Sequence, residues 1–93
     1  MIKSFTDKKT EQIFSRAFAK GFSKELCHLA LRKLLLVDAA VSLDDLRVPP
    51  GNRLEKLTGD RQGQYSIRIN KQWRICFEWA EGDAYEVEIV DYH

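Results

Sequence analysis

A change of hydrophobic period halfway along the chain most constrains what it can fold into. Before Pro49-Pro50-Gly51, apolar side chains recur at the spacing of amphipathic helices. After it, apolar and polar residues alternate through Tyr65–Ile69, Trp73–Trp79 and Tyr85–Ile89, which is the pattern of half-buried strands. Helices that precede a sheet predict an α+β fold, in which an N-terminal helical hairpin packs on a mainly antiparallel sheet.

Capping residues predict where each helix begins and ends. Thr6 or Asp7 begins a first helix that runs to about Lys20, and Gly21 supplies the left-handed residue that ends it. A second helix runs from Ser23 to about Ala39. Its core face is predicted to contain Leu26, Leu29, Ala30, Leu34 and Val37, widened by Leu31 and Leu35.

Shorter elements complete the expected fold. Residues 2–5 predict an edge strand, Ser42 caps a short turn, and residues 53–57 predict a weaker strand. Residues 59–63 predict a β-turn from which Arg61 points outward. The side-chain period places Trp79 and Tyr85 on one face of the sheet. No repeat or flexible linker interrupts the chain, so one domain spanning residues 1–93 is expected.

Composition limits the classes to which the protein can belong. No apolar run approaches the ~20 residues of a transmembrane helix, and the N-terminus lacks the apolar segment of a secretory signal. Cys27 and Cys76 stand alone and far apart, which excludes a zinc ribbon, so no metal or other cofactor is expected. These features favour a reduced, cytoplasmic protein with no membrane contact.

The formal net charge of +1 hides a segregation of charge along the chain. Residues 1–36 hold eight basic and three acidic side chains, and residues 47–74 hold seven basic and two acidic. The last 16 residues hold six acidic side chains and no Lys or Arg. Basic stretches of this kind suit an anionic partner such as nucleic acid, and they also occur on ordinary solvated surfaces.

The register of the first hairpin opposes two arginines. Ile69 must share a face with Trp73, so the simplest loop places Arg68 directly opposite Arg74. Like charges in that position cost up to about 1 kcal/mol. Either Glu86 and Glu88 on the next strand neutralise the pair, or an anion binds between the two guanidinium groups.

The next hairpin brings the C-terminus to the same place. Arg74 is predicted to face residues 88–90, so Asp91-Tyr92-His93 ends within reach of Arg74, Arg68 and the Lys71 loop. Guanidinium groups match phosphate oxygens, imidazole exchanges protons near neutral pH, and a tyrosine ring stacks on a base. This sheet end is therefore either a phosphate-binding and proton-transfer site or a frayed, solvated chain end.

Several segments of the chain resemble one known family. They are Asp45–Leu57, Gly59-Asp60-Arg61, Gln64–Asn70, Gln72–Phe77 and the terminal Asp91-Tyr92-His93. Together they resemble the HigB-type killer toxins of the RelE/ParE toxin–antitoxin superfamily, over the whole chain. The resemblance implies a RelE-like toxin that cleaves mRNA on the ribosome and inhibits translation and growth. It also implies a HigA-like antitoxin with a helix-turn-helix domain, which forms a heterotetramer with the toxin and binds operator DNA.

The resemblance also implies roles for individual residues. Arg74 matches the family's phosphate-binding arginine, and Asp91, Tyr92 and His93 match its C-terminal active-site residues. Glu55 stands where some members carry a histidine and Thr58 where some carry a lysine, so the general base stays open.

The expected reaction is metal-independent scission by the RNA's own 2′-hydroxyl. Arg74 and Arg68 would stabilise the phosphate charge, His93 would transfer a proton, Asp91 would orient it, and Tyr92 would stack on a base. The RNA backbone is expected to follow Arg47, Arg53, Lys56, Arg61 and Lys71.

The sequence leaves two alternatives for the activity and two for the face that the antitoxin binds. ParE-like relatives of similar fold poison DNA gyrase and cut no RNA, and the terminal Asp-Tyr-His favours the ribonuclease over that alternative. The antitoxin can cover the face carrying Arg74 and His93, or it can bind the basic helical side, with Lys9 and Arg16, and exclude the toxin from the ribosome by bulk. The second route is favoured because it needs no insertion into the active site.

Overall fold

The computed structural model describes residues 1–92, in which two helices precede a four-stranded antiparallel sheet of order β1-β2-β3-β4. The elements are α1 (Lys8–Phe14), α2 (Lys24–Ala39), β1 (Glu55–Lys56), β2 (Gln64–Arg68), β3 (Trp73–Ala80) and β4 (Asp83–Asp91). Short 3₁₀ helices lie between them at Leu43–Arg47, Pro50–Asn52 and Gly59–Arg61. The predicted α+β fold is confirmed. No helix among these residues is long and apolar enough to cross a membrane.

The first helix is shorter than predicted. Asp7 caps it by accepting a hydrogen bond from the Thr10 N–H at 2.9 Å, as expected. It ends in a Schellman motif, in which the Arg16 N–H donates to the Ile13 carbonyl and the Ala17 N–H donates to the Gln12 carbonyl. Arg16, at φ 68°, is therefore the left-handed residue that stops the helix. The predicted end at Lys20 and Gly21 is wrong.

The second helix follows the prediction closely. Ser23 caps it through a hydrogen bond from the Leu26 N–H at 3.0 Å, and it ends at Ala39. Its buried face packs on the sheet against Ile75, Phe77 and Val87, all fully buried. Leu35 departs from the prediction because it is 39% exposed and lies outside this core.

The N-terminal segment pairs along the outer edge of β4. Ile2 and Phe5 form parallel bridges with Ala84 and Val87, which confirms an edge segment at residues 2–5. Between Cys76 and Glu78 the register shifts at a β-bulge, where Glu86 takes a left-handed φ of 53°. The shift places Tyr85 opposite Glu78, so the prediction that Tyr85 shares a face with Trp79 is wrong.

Candidate active site

The strand register gathers polar side chains on the sheet face turned away from α2, here called the open face. Arg68 lies opposite Arg74 and Ser66 lies opposite Cys76, as the even register requires. Asn70 fixes the connecting loop, because its side-chain oxygen accepts hydrogen bonds from the N–H groups of Gln72 and Trp73. The predicted opposition of the two arginines is confirmed.

Arg74 is the most constrained charged group on the open face. Only 9% of its surface is exposed. Its Nε donates to Ser66 Oγ at 2.9 Å, and its Nη2 donates to the Arg53 carbonyl at 2.8 Å. Arg53 has a left-handed φ of 46°, and in this backbone conformation its carbonyl faces Arg74. These two acceptors are neutral, so they orient the guanidinium without cancelling its charge.

The positive charge of the arginine pair is left without a carboxylate partner inside residues 1–92. Glu88 pairs with Arg61 at 2.7 Å, and Arg68 Nε donates to the Asn70 carbonyl instead. Glu86 lies at the bulge, where its N–H binds Ser4 Oγ. Neutralisation of the pair by these two glutamates, one of the two alternatives, is therefore wrong. A buried, oriented guanidinium without a carboxylate partner among residues 1–92 can bind an anion.

The end of β4 closes over this arginine. The Tyr92 ring centroid lies 5.6 Å from the Arg74 guanidinium carbon, within cation–π range. The Tyr92 N–H donates to the Gln72 carbonyl at 2.6 Å, and Gln72 Nε2 donates to Asp91 Oδ2 at 3.2 Å. The chain end is thus tied to the loop that carries exposed Lys71, and it is not frayed up to Tyr92. His93 lies outside the described residues.

A cleft of about 200 Å³ opens beside Tyr92. Its walls carry one tyrosine ring, two cations and two carboxylates, supplied by Tyr92, Lys56, Arg61, Glu55 and Asp60. Glu55 and Tyr92 therefore line the same cleft. Glu55 belongs to β1, which is only two residues long. A cleft of this composition can hold a polar, planar ligand beside the anion site.

Arg61 does not point outward, contrary to the prediction. It ends a 3₁₀ helix rather than a β-turn, and its Nη1 donates to Glu88 Oε1 at 2.7 Å and to Gln64 Oε1 at 3.0 Å. The hydrogen bond to Glu88 raises the pKa of Arg61. Burial also raises the pKa of the Cys76 thiol. A thiol that stays protonated is a poor nucleophile, which agrees with an unreactive cysteine.

The structure does not bring every expected RNA-binding residue into contact with this site. Arg47 forms an exposed ion pair with Asp44 at 2.9 Å, and it does not line the cleft. Arg53 contributes its carbonyl, while its side chain is exposed. Over residues 1–92, no cluster of three His, Cys, Asp or Glu side chains has a geometry that could hold a metal ion.

Sequence reasoning missed the two groups that orient Arg74. Ser66 was detectable, because the hairpin register that opposes Arg68 to Arg74 also puts Ser66 on the same face. The Arg53 carbonyl was not detectable, since its direction depends on a left-handed backbone and on a contact across 21 residues.

The fold is the α+β fold of the RelE-like toxins. The toxin-like fold is shared with a chain of the heterotetrameric YoeB–YefM toxin–antitoxin complex from Staphylococcus aureus. That chain matches with a TM-score of 0.62 and 18% identity, over 100% of this chain and 98% of the other. A second YoeB–YefM structure matches with a TM-score of 0.57 and 17% identity, over 100% of this chain and 98% of that one.

The sequence places the chain within one family of such toxins. Residues 3–93 match the HigB-like toxin family, described as the RelE-like toxin of type II toxin–antitoxin system HigB. Toxin HigB-1 of Vibrio cholerae is 44% identical over 85 residues, 90% of each chain. Endoribonuclease HigB of Proteus vulgaris is 33% identical over 93 residues, 100% of each chain. The chain therefore belongs to the HigB family of type II toxins.

Proposed function

We propose that this HigB-family toxin is an endoribonuclease that cleaves mRNA on the ribosome and so stops translation and growth. The observation that carries the proposal is the Arg74 guanidinium, which is buried, fixed by Ser66 and the Arg53 carbonyl, and unpaired by any carboxylate of residues 1–92. The name of the P. vulgaris relative supports the reaction class. The family match does not favour the alternative of a gyrase poison.

Arg74 would bind the scissile phosphate. The RNA 2′-oxygen attacks phosphorus, the bond from phosphorus to the 5′-oxygen breaks, and the products carry a 2′,3′-cyclic phosphate and a 5′-hydroxyl. Negative charge builds on the non-bridging oxygens during attack, and a fixed donor at that position is worth about 10²–10³-fold in rate. Arg68, directly across the strand pair, adds a second positive charge. The reaction as written needs no metal ion.

Two proton transfers accompany this reaction. The 2′-hydroxyl must lose a proton to a base, and the leaving 5′-oxygen must gain one from an acid. Glu55 is the proposed base, because its carboxylate lines the cleft that also carries Tyr92. His93, predicted to transfer a proton, is then the proposed acid, with Asp91 orienting it and Tyr92 stacking on a base next to the phosphate.

The exposed basic side chains near the open face would hold the RNA backbone. Lys56 lines the cleft, and Lys71 lies in the loop whose Gln72 side chain donates a hydrogen bond to Asp91. The exposed side chain of Arg53 belongs to the residue whose carbonyl binds Arg74. Arg61 and Arg47 are already paired with carboxylates, so we expect their contribution to be smaller.

The products of the reaction test this function. Translating ribosomes would be incubated with the protein, and new RNA ends would be mapped with and without a prior phosphorylation step. We expect cuts within the mRNA whose 5′ ends ligate only after phosphorylation, because they are hydroxyls. Intact mRNA together with accumulated gyrase–DNA cleavage complexes would instead establish the gyrase alternative.

Membership of a type II system implies an antitoxin partner. The proposed partner is a HigA-like protein with a helix-turn-helix domain, which would dimerise, hold two toxins in a heterotetramer and bind operator DNA. Native mass spectrometry of the co-purified pair would give its stoichiometry. Action on the ribosome would place the toxin in the cytoplasm.

A further inference from the structure

One of the two acceptors that fix the Arg74 guanidinium is a backbone carbonyl, whose direction depends on the loop that carries it. This carbonyl belongs to Arg53, at the end of the loop that joins α2 to β1, and it accepts from Nη2 at 2.8 Å. Arg53 takes φ 46° and ψ 56°, a left-handed conformation that residues other than glycine and asparagine seldom adopt. Such a conformation persists only where the surrounding structure holds it.

The side chain of Asn52 fastens this loop immediately before Arg53. Asn52 is fully buried, and its Nδ2 donates to the carbonyls of Leu46 and Val48 at 3.2 and 3.3 Å. Its backbone N–H donates to the Pro49 carbonyl at 2.9 Å. Both hydrogens of the amide nitrogen therefore have acceptors within the loop, and a buried amide that is fully bonded favours one loop conformation.

The remaining atom of that amide is bound by a charged group of α2. Lys33 Nζ donates to Asn52 Oδ1 at 2.5 Å, and among residues 1–92 this is the one side-chain hydrogen bond between α2 and residues 40–54. Lys33 is half-buried and forms no ion pair within the described part of the chain. Burial and the charge of Arg32 lower its pKa, so the ammonium group is held where its solvation is incomplete. Lys33 thus links the helix layer to the loop that ends at Arg53.

We propose that Lys33 and Asn52 are positioning residues for RNA cleavage, acting through the Arg53 carbonyl on the Arg74 guanidinium. The reaction rests on the proposed function, whereas the chain of contacts does not depend on it. Neither residue lines the cleft of the candidate active site, so neither is expected to touch RNA. Their effect is to keep the carbonyl aimed at Nη2, so that the guanidinium is aligned before the substrate binds.

The test compares variants of Lys33 with a charge-matched control. Lys33→Met keeps most of the apolar stem and removes the donor, and Lys33→Arg restores a donor. Arg32→Met removes one positive charge from the next residue, which is exposed and forms no hydrogen bond or ion pair among residues 1–92. Asn52→Ala removes the whole amide, and it is compared only at a temperature where circular dichroism shows it folded.

We expect single-turnover cleavage of ribosome-bound mRNA to slow about 3–10-fold in Lys33→Met and about tenfold in Asn52→Ala, a part of the about 10²–10³-fold that a fixed donor contributes. The affinity of the toxin for the ribosome should not change. Lys33→Arg should recover most of the rate, and Arg32→Met should cleave as the wild type does. Wild-type cleavage rates in both Lys33→Met and Asn52→Ala would overturn the proposal.

A double-mutant cycle separates positioning from a general loss of structure. If Lys33 acts through Arg74, Lys33→Met should slow the wild type and add nothing in the Arg74→Ala background, where no guanidinium is left to align. Equal slowing in both backgrounds would establish a merely structural role for Lys33 and overturn the proposal.

An NMR measurement keeps this result separate from the test of the proposed function. The side-chain N–H signals of Arg74, assigned by their loss in Arg74→Ala, should exchange with solvent faster in Lys33→Met than in the wild type or in Arg32→Met. Faster exchange in a toxin whose wild type cuts no RNA would contradict the proposed function and support the alignment of Arg74 by Lys33. Unchanged exchange, with wild-type cleavage by Lys33→Met, would contradict the alignment alone.

Discussion

Removing the Ser66 hydroxyl tests whether the orientation of Arg74 matters for catalysis. Ser66 is fully buried, and its Oγ accepts the Nε–H of Arg74 at 2.9 Å. A hydrogen bond to a charged group contributes about 1.5–3 kcal/mol, so we expect Ser66→Ala to lower the free energy of unfolding by that amount. The bond from Nη2 to the Arg53 carbonyl remains, so the guanidinium stays in the site but turns more freely.

The loss of orientation should also slow cleavage. If the freed guanidinium forfeits about 1.4 kcal/mol of transition-state stabilisation, the rate falls about tenfold. Urea unfolding measures the first effect. Single-turnover cleavage of ribosome-bound mRNA, at a temperature where the variant is fully folded, measures the second.

Thr10→Val is the matched control for this variant. Thr10 is also fully buried, and its Oγ1 accepts the Ile89 N–H at 3.1 Å, away from the open face. Leaving that N–H unpaired should cost about 1–3 kcal/mol of stability. The cleavage rate of the folded control should equal that of the wild type. A folded Ser66→Ala protein that also cleaves at the wild-type rate would refute the claim that a fixed guanidinium is required.

Three further predictions follow from the charged and titratable groups. A double-mutant cycle on Arg61→Met and Glu88→Gln should give a coupling of about 1 kcal/mol that falls as salt is added, measured by urea unfolding; no coupling would contradict the pair. Two backbone N–H donors lower the pKa of Asp45, so its stabilisation is complete above the pKa of the unfolded carboxyl and is lost as pH falls through the folded pKa. Asp45→Asn should remove that part of the loss of stability at low pH. A variant whose stability falls with pH as the wild type's does would contradict the prediction. Burial raises the pKa of Cys76, so mass spectrometry should find it unalkylated in the folded protein and alkylated in denaturant.

Local signals and sheet parity are what made much of this fold predictable. Ser23 marks the start of α2 because a serine side chain satisfies a free N–H at a helix start. Parity then fixes which residues face each other, so placing Ile69 with Trp73 was enough to oppose Arg68 to Arg74. The same rule brought Asp91 and Tyr92 to the end of the sheet that carries Arg74, without any knowledge of the helices.

The predictions failed where contacts between residues distant in sequence determine the backbone conformation. The bulge at Glu86 is held by a hydrogen bond from its N–H to Ser4 Oγ, 82 residues away, and no local pattern reports that contact. The structure has two left-handed positions after α1, Arg16 and Gly21; residue preference points to the glycine, whereas the helix ends at the arginine.

The exposure of Leu35 could not be predicted for a related reason. Leu35 fits the pattern of a wide core face, and only the packing of α2 shows that it lies outside the core. An exposed leucine beside a helix's core face has the same sequence signature as a leucine that belongs to the core.

The cleavage rate of the Arg74→Ala variant tests the central claim most directly. Single-turnover scission of ribosome-bound mRNA would be measured for the wild type and for this variant, with folding of both checked by circular dichroism. If Arg74 holds the scissile phosphate, the rate falls about 10²–10³-fold while ribosome-bound toxin is still detected. A folded Arg74→Ala protein that cleaves at the wild-type rate would contradict the account and remove Arg74 from the active site.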